Sequence, residues 1–590
     1  MALARGVRFV LTFLMLAIVV SIAGLMLMYV VISREPAVPS SATLVLRPGG
    51  EMQEVVPDDV VGQLIGRETM TVQEFVDNLR KAKRDPRIRS VLLLPQSLSL
   101  PFWAKVQELR DAVIDFRSSG KTVTAFLAYG GDREYYLASA ADRVFLLPTS
   151  PLDLTGVASY EVFLRGTLDK IGAYPDFLAI GDYKTAVNQL TEKTFTPAHR
   201  EMAESLNRDM YEQLVRALAL ARSKSEAEIR ALIDRGPFVP EEALRVGLVD
   251  DLAYEDQLDD RVPELRDGTS ELRRIDGFDY RRIRPESVGF RPRSRIALLY
   301  AVGTIVSGRS GYDPLNGQIL GSDTFVEQIR EMRDDDSIDA IVIRIDSPGG
   351  SSVASDVIWR ELMITRDQKP SRPLIASMSD LAASGGYYIA MPAHAIVAQP
   401  ATLTGSIGIY TGKLALAGTM AKIGVTTETV TSGANADIYS PFDRFEERHR
   451  VKIRETMQGF YDNFVEKAAE SRRTTPERID AVAQGRVWTG AQAREHGLVD
   501  ELGGLDAAIR VAKERARIDP EEDVELVVYR PRRSLYEFLT GQLGAARMNA
   551  WTALGLSAQP ELRALAALSA RASWFRSGEP LALMPIVVGR

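Results

Sequence analysis

At 590 residues the chain is too long for one ordinary hydrophobic core, so at least two domains are expected. Its net charge of −7 is spread along the sequence and gives no reason to expect a nucleic-acid partner. The absence of cysteine excludes disulfides, thiolate metal sites and a cysteine nucleophile. The histidines are His199, His394, His449 and His496, and none stands in a ligand-like spacing, so no metal or other cofactor is expected. Each lies in a polar or mixed stretch that reads as a surface or helix-terminal position, and a Ser-His-Asp triad would have to recruit one of them.

Arg5 and Arg8 precede an uncharged run from Phe9 to Ile32. At ~1.5 Å per residue that run spans roughly 36 Å, enough to cross a ~30 Å hydrocarbon core. It is too long for a signal-peptide core and no A-x-A site follows. The expectation is an uncleaved transmembrane helix over 9–32, with residues 1–8 cytoplasmic and everything after Ser33 on the far side. A short linker, Pro36 to Ser41, follows.

The rest of the chain contains an internal repeat. Residues 75–94 and 325–344 share one pattern: an amphipathic helix beginning Phe-Val, a polar turn, then a run of aliphatic residues. Tyr135-Tyr-Leu-Ala matches Tyr387-Tyr-Ile-Ala, and Lys170-Ile-Gly matches Lys422-Ile-Gly. Gly247-Leu-Val-Asp-Asp-Leu matches Gly497-Leu-Val-Asp-Glu-Leu, and the offset stays near 250 throughout. Helix and strand signals alternate within each copy, which predicts an α/β fold with largely parallel sheets. The copies are placed at 42–255 and 296–515. Between them, residues 256–295 form a connection whose Arg-rich part, Arg273 to Arg295, reads as a solvated linker in preference to a lipid-binding patch. The tail, 516–590, holds a strand-like Val524–Tyr529 and a helical pattern from Pro560 to Ser573.

Chemistry concentrates where the copies differ. In the second, a strand-like Pro373–Met378 leads to Leu381-Ala-Ala-Ser-Gly-Gly-Tyr387, then to an apolar helical stretch. A serine at a strand-to-helix turn among such small residues has the logic of a nucleophile elbow, exposed and approachable, although Ala382 stands where the strict motif has glycine. Taken alone, the same residues also suit simple close packing. Asp346-Ser-Pro-Gly-Gly-Ser351 places two glycines at a turn whose backbone N–H groups can form an oxyanion site. The first copy has Asp132 opposite Ser384 and Pro95-Gln-Ser-Leu in place of the Gly-Gly turn. The reverse holds at Asp182-Tyr-Lys-Thr-Ala186, where Lys184 falls opposite Ala436. A lysine just beyond an apolar strand is either partly buried, with its pKa lowered toward that of a general base, or snorkelling to solvent.

Together with Leu403-Thr-Gly-Ser-Ile-Gly408, these motifs make nearly the whole chain resemble the long, double-repeat form of the signal peptide peptidase A family. The resemblance implies Clp-protease/crotonase-like repeats and a Ser/Lys-dyad endopeptidase that degrades signal peptides left in the membrane after preprotein cleavage. Carried over residue by residue, it makes Ser384 the nucleophile, Lys184 the general base and later acid, and Ser406 the residue that orients the lysine. The N–H groups of Gly350 and Gly385 become the oxyanion hole. It further implies peptide substrates, a homo-oligomer (a tetramer), and a bacterial inner-membrane location with the catalytic part periplasmic. Two other readings stand beside it: a crotonase-type acyl-CoA enzyme, which would use carboxylates, and a membrane-anchored scaffold without activity.

Overall fold

The computed structural model describes residues 13, 15–17, 19–21, 23–24, 35–55, 70–262, 265, 273–313, 317–529, 579–584 and 588–589. Most of the expected anchor, 9–32, and the helical pattern of Pro560–Ser573 lie outside these residues. Among the described residues no helix is long and apolar enough to cross a membrane.

Each repeated stretch folds as its pattern requires. In the first copy, Thr71 and Glu74 form a capping box at the start of helix Val72–Arg84, whose Val72, Phe75, Val76 and Leu79 are buried. Strand Ile88–Leu93 follows. In the second copy the equivalents are helix Ser322–Asp334 and strand Ala340–Ser347. The first copy builds a six-stranded, all-parallel sheet in the order Arg274–Asp276, Ala42–Leu46, Ile88–Leu93, Thr122–Leu127, Arg143–Leu146, Asp251–Leu252. The second repeats that order with Val524–Tyr529, Ser294–Val302, Ala340–Ser347, Leu374–Ala383, Ala395–Ala398 and Glu501–Leu502. Both sheets carry helices and read as near-continuous apolar runs, as parallel strands buried on both faces must.

The connection is not a solvated linker. Arg274–Asp276 adds an edge strand to the first sheet, and Ile275, Tyr280, Ile283, Val288 and Phe290 are buried in the first core. Apolar residues between the arginines supply the docking surface, while the guanidinium groups stay outside or pair, as Arg274 does with Asp259. In the tail, Val524–Tyr529 forms the expected strand.

Two features fasten the copies together. Strand Tyr174–Ile180 of the first pairs antiparallel with Ile409–Ala415 of the second through seven consecutive residue pairs. The second feature is a buried ionic cluster. The fully buried Arg344 of the second copy donates from Nε and Nη2 to Glu54 at 2.9 Å each, and from Nη2 to Glu108 at 2.5 Å. Lys105, on the same helix as Glu108, donates to Asp346 at 2.7 Å, and its backbone N–H donates to Asp380 at 2.9 Å. Burial alone would raise Glu54, but the Arg344 guanidinium holds it well below the usual carboxylate range.

Removing one member of such a cluster strands its partners. Arg344→Leu leaves Glu54 and Glu108 buried without their guanidinium partner, and is expected to cost about 3–5 kcal/mol. Thermal unfolding of the variant checks this; an unchanged melting temperature would show that the cluster does not hold the copies together.

Candidate active site

Strand Leu374–Ala383 ends at Ser384, and helix Gly385–Ala390 begins immediately after it. Ser384 takes φ +57° and ψ −114°, a backbone conformation that costs a non-glycine residue of order 1–3 kcal/mol. Its neighbours hold it there: the Ser384 N–H donates to Gly405 O at 2.7 Å, and Thr404 Oγ1 donates to Ala382 O at 2.7 Å. Ser384 is fully buried, not exposed as its motif suggests, because the surrounding segments close over the turn.

The Gly-Gly turn reaches the same place. Strand Gly349–Ser351 runs beside Ile305, and a Cβ on Gly350 would lie 2.0 Å from Ile305 O, so no side chain fits there. A Cβ on Gly385 would lie 3.1 Å from Gly350 N, and one on Gly349 would lie 2.6 Å from Gly385 N. The two backbone amides therefore sit side by side at the serine.

Lys184 arrives from the other copy. It follows strand Tyr174–Ile180 and a turn at Gly181, and this loop is wedged against Gln484–Gly485 of the second copy. The Tyr183 N–H donates to Gln484 O at 2.8 Å. A Cβ on Gly485, at φ +77°, would lie 2.5 Å from Lys184 N, so glycine is needed for the approach. The Gly485 N–H donates to Ile407 O at 2.7 Å, and the Ser406 N–H donates to Arg486 O at 2.7 Å, which ties the wedge to Ser406.

Lys184 Nζ then lies 2.8 Å from Ser384 Oγ, 2.9 Å from Ser406 Oγ and 3.1 Å from Ser406 O. Burial pushes the Lys184 ammonium well below its ordinary value, and no charged neighbour contributes to the shift. A neutral amine has two N–H groups and one lone pair. The two Ser406 oxygens accept the former, and the lone pair is left for the Ser384 hydroxyl. The arrangement can take a proton from Ser384 without a histidine. His199 and His449 stand at helix termini, three positions into helices Pro197–Arg222 and Glu447–Ser471, in keeping with the helix-terminal reading; both are buried, not at the surface, and neither bonds to Ser384. Asp132, opposite Ser384 in the first copy, accepts from the N–H groups of Thr155 and Gly156 at 2.9 and 3.0 Å and binds its own turn together.

The sequence carries the peptidase family S49 pattern twice, at residues 115–268 and 366–519. It is 35% identical over 504 residues to the chloroplastic serine protease SPPA of Arabidopsis thaliana, covering 84% of this chain and 74% of that protein. The chain belongs to peptidase family S49. It is a serine peptidase of the double-repeat form, and Protease 4 of Salmonella typhi is similar over most of its length (33% identical over 472 residues, 77% of this chain and 74% of that one). Protease 4 of Haemophilus influenzae is 29% identical over 471 residues, with the same coverage. Among solved structures, a membrane-bound stomatin-specific protease covers 41% of this chain and 100% of its own at 14% identity and a TM-score of 0.26.

A buried lysine with a lowered pKa leaves a mark on stability. Between the lowered pKa of Lys184 and the ordinary 10.5, the unfolded peptidase binds one proton more than the folded one, so stability rises with pH across that window. Lys184→Met removes this slope. The variant is expected to melt above the parent near neutral pH, with the gap closing as pH approaches 10.5. Melting temperatures across that range test it, and a constant gap would contradict a lysine buried without its proton.

Proposed function

We propose that this serine peptidase is a membrane-anchored endopeptidase working through a Ser384/Lys184 dyad shared between its two repeats. The observation that carries the reading is the 2.8 Å approach of Lys184 Nζ to Ser384 Oγ, both buried, with no charged neighbour contributing to the lowered pKa of the lysine. Ser384 Oγ attacks a peptide carbonyl carbon while its proton passes to Lys184 Nζ. The tetrahedral oxyanion is held by the N–H groups of Gly350 and Gly385, each such donor being worth about 10²–10³ in rate. The intermediate collapses, Lys184 returns the proton to the leaving amine, and a peptidyl ester remains on Ser384. Water, deprotonated in turn by Lys184, hydrolyses that ester. Ser406 holds the amine so that its lone pair faces the serine.

The substrates in this reading are cleaved signal peptides remaining in the membrane, and the enzyme sits in a bacterial inner membrane with its N-terminus cytoplasmic and its catalytic part periplasmic. The uncharged run 9–32 and the family resemblance support this. A crotonase-type acyl-CoA reaction would need carboxylates at the reacting centre, and none contributes to the lowered pKa of Lys184.

The chain is further proposed to assemble as a homo-oligomer, a tetramer. Within one chain, Tyr174–Ile180 of the first copy pairs with Ile409–Ala415 of the second. The counterparts of these two strands are left exposed: Val425 and Val430 in the second copy, and Tyr160 and Val162 in the first. Repeating the internal contact between neighbouring chains would cover both, head to tail. Val430→Asp is expected to reduce the assembly to monomers in light scattering, and an unchanged mass would refute this arrangement.

Ser384→Ala and Lys184→Ala should each lower cleavage of a signal-peptide substrate by about 10⁴-fold or more, with folding intact by circular dichroism. Ser406→Ala should lower kcat more than it changes KM. Full activity in the first two variants would remove the dyad; a folded parent that cleaves nothing would favour the scaffold.

A further inference from the structure

A segment from near the end of the sequence enters the site. Leu581–Leu583 is a strand antiparallel to Gly349–Ser351, with Gly349 opposite Leu583, Gly350 opposite Ala582 and Ser351 opposite Leu581. On its other side it pairs with Ile409–Ala415 through Tyr410 opposite Leu581. The Met584 N–H donates to Pro348 O at 2.9 Å, and the Ser352 hydroxyl donates to Pro580 O at 2.8 Å. Met584 is buried in an apolar pocket between the copies, among Met202, Leu206, Ala383, Leu403 and Val487. Leu583 packs with Val187 and Tyr410. Farther along, Val588–Gly589 pairs antiparallel with Ser159–Tyr160 of the first copy.

These residues do what a bound peptide does in strand addition: main-chain pairing supplies affinity and pockets receive side chains. They lie along the Gly-Gly turn proposed to hold the oxyanion, and Met584 shares one apolar cluster with Ala383, the residue immediately before Ser384. Ser384 is meanwhile fully buried and Lys184 only 2% exposed. A substrate carbonyl must come within roughly 3–3.5 Å of Ser384 Oγ. A second strand cannot occupy the edge of Gly349–Ser351 while Leu581–Leu583 is paired there.

We propose that residues 579–584 are an internal pseudosubstrate that occupies the peptide-binding cleft and must leave before a substrate strand enters. Their sequence is Glu-Pro-Leu-Ala-Leu-Met, and Met584 fills the pocket of Met202, Leu206, Leu403 and Val487. The proposal rests on the serine-endopeptidase reading.

The test compares the parent with two variants, Met584→Asp and a chain lacking residues 579–590, on a short fluorogenic peptide of aliphatic residues. An occupied cleft lowers apparent affinity by the fraction of molecules that are open, so KM should fall about threefold to tenfold in both variants while kcat changes little. A synthetic hexapeptide with the sequence of residues 579–584 should then inhibit the shortened chain competitively. Should the shortened chain not fold, Met584→Asp and inhibition of that variant by the hexapeptide decide the matter. A parent that cleaves the peptide, with folded variants at the same KM and no inhibition by the hexapeptide, overturns the proposal and leaves the peptidase reading intact. A folded parent and folded variants that all fail to cleave overturn both.

Discussion

The site depends on a charge that could not stay buried alone. The guanidinium of Arg344 projects from the middle of a central strand of the second copy in full burial, and its partners Glu54 and Glu108 come from the first. Lys105, one helical turn from Glu108, reaches back to Asp346 and Asp380 at the ends of two second-copy strands. Taken apart, the copies would leave several ions in apolar surroundings without compensation, which is far more costly than the net gain of the assembled cluster. The cluster therefore acts as a registration device: it allows one relative placement of the copies. The same placement lays Tyr174–Ile180 along Ile409–Ala415 and presses the Lys184 loop against Gly485.

Within that frame the two reactive groups are held in unfavourable states that suit each other. Ser384 carries backbone strain, and Lys184 carries the cost of burial without a counter-ion. Neither copy has both groups, so each keeps one costly feature and the interface joins them. Ser406, at φ +51°, is strained as well and supplies both acceptors to the lysine.

Much of this was legible as a difference between copies. Small residues around position 384, the Gly-Gly pair at 349–350 and the lone lysine at 184 stand out because the aligned residues of the other copy, Asp132, Pro95-Gln-Ser-Leu and Ala436, have different chemistry. The parallel sheets were legible because aliphatic runs alternate with amphipathic helices. The ionic cluster was not: Arg344 reads as the polar end of a strand, and Glu54 and Glu108 lie far from it in sequence, so no local pattern marks their meeting. The connection was misread for a related reason. Its arginines dominate composition, while the isolated Ile275, Tyr280 and Phe290 that dock it show no period. The burial of Ser384 was illegible because it arises from contacts with distant segments, including a strand two hundred residues downstream.

Lys184 and Ser384 meet within one chain, 2.8 Å apart. The most direct measurement is complementation: Ser384→Ala and Lys184→Ala chains are co-expressed, purified together under two affinity tags so that mixed assemblies are selected, and assayed on a peptide substrate. If Lys184 serves the Ser384 of its own chain, as the 2.8 Å contact requires, the mixed assemblies remain as inactive as either variant alone. Recovery of a substantial fraction of parental activity would mean that the lysine and the serine meet across chains, and would contradict the account.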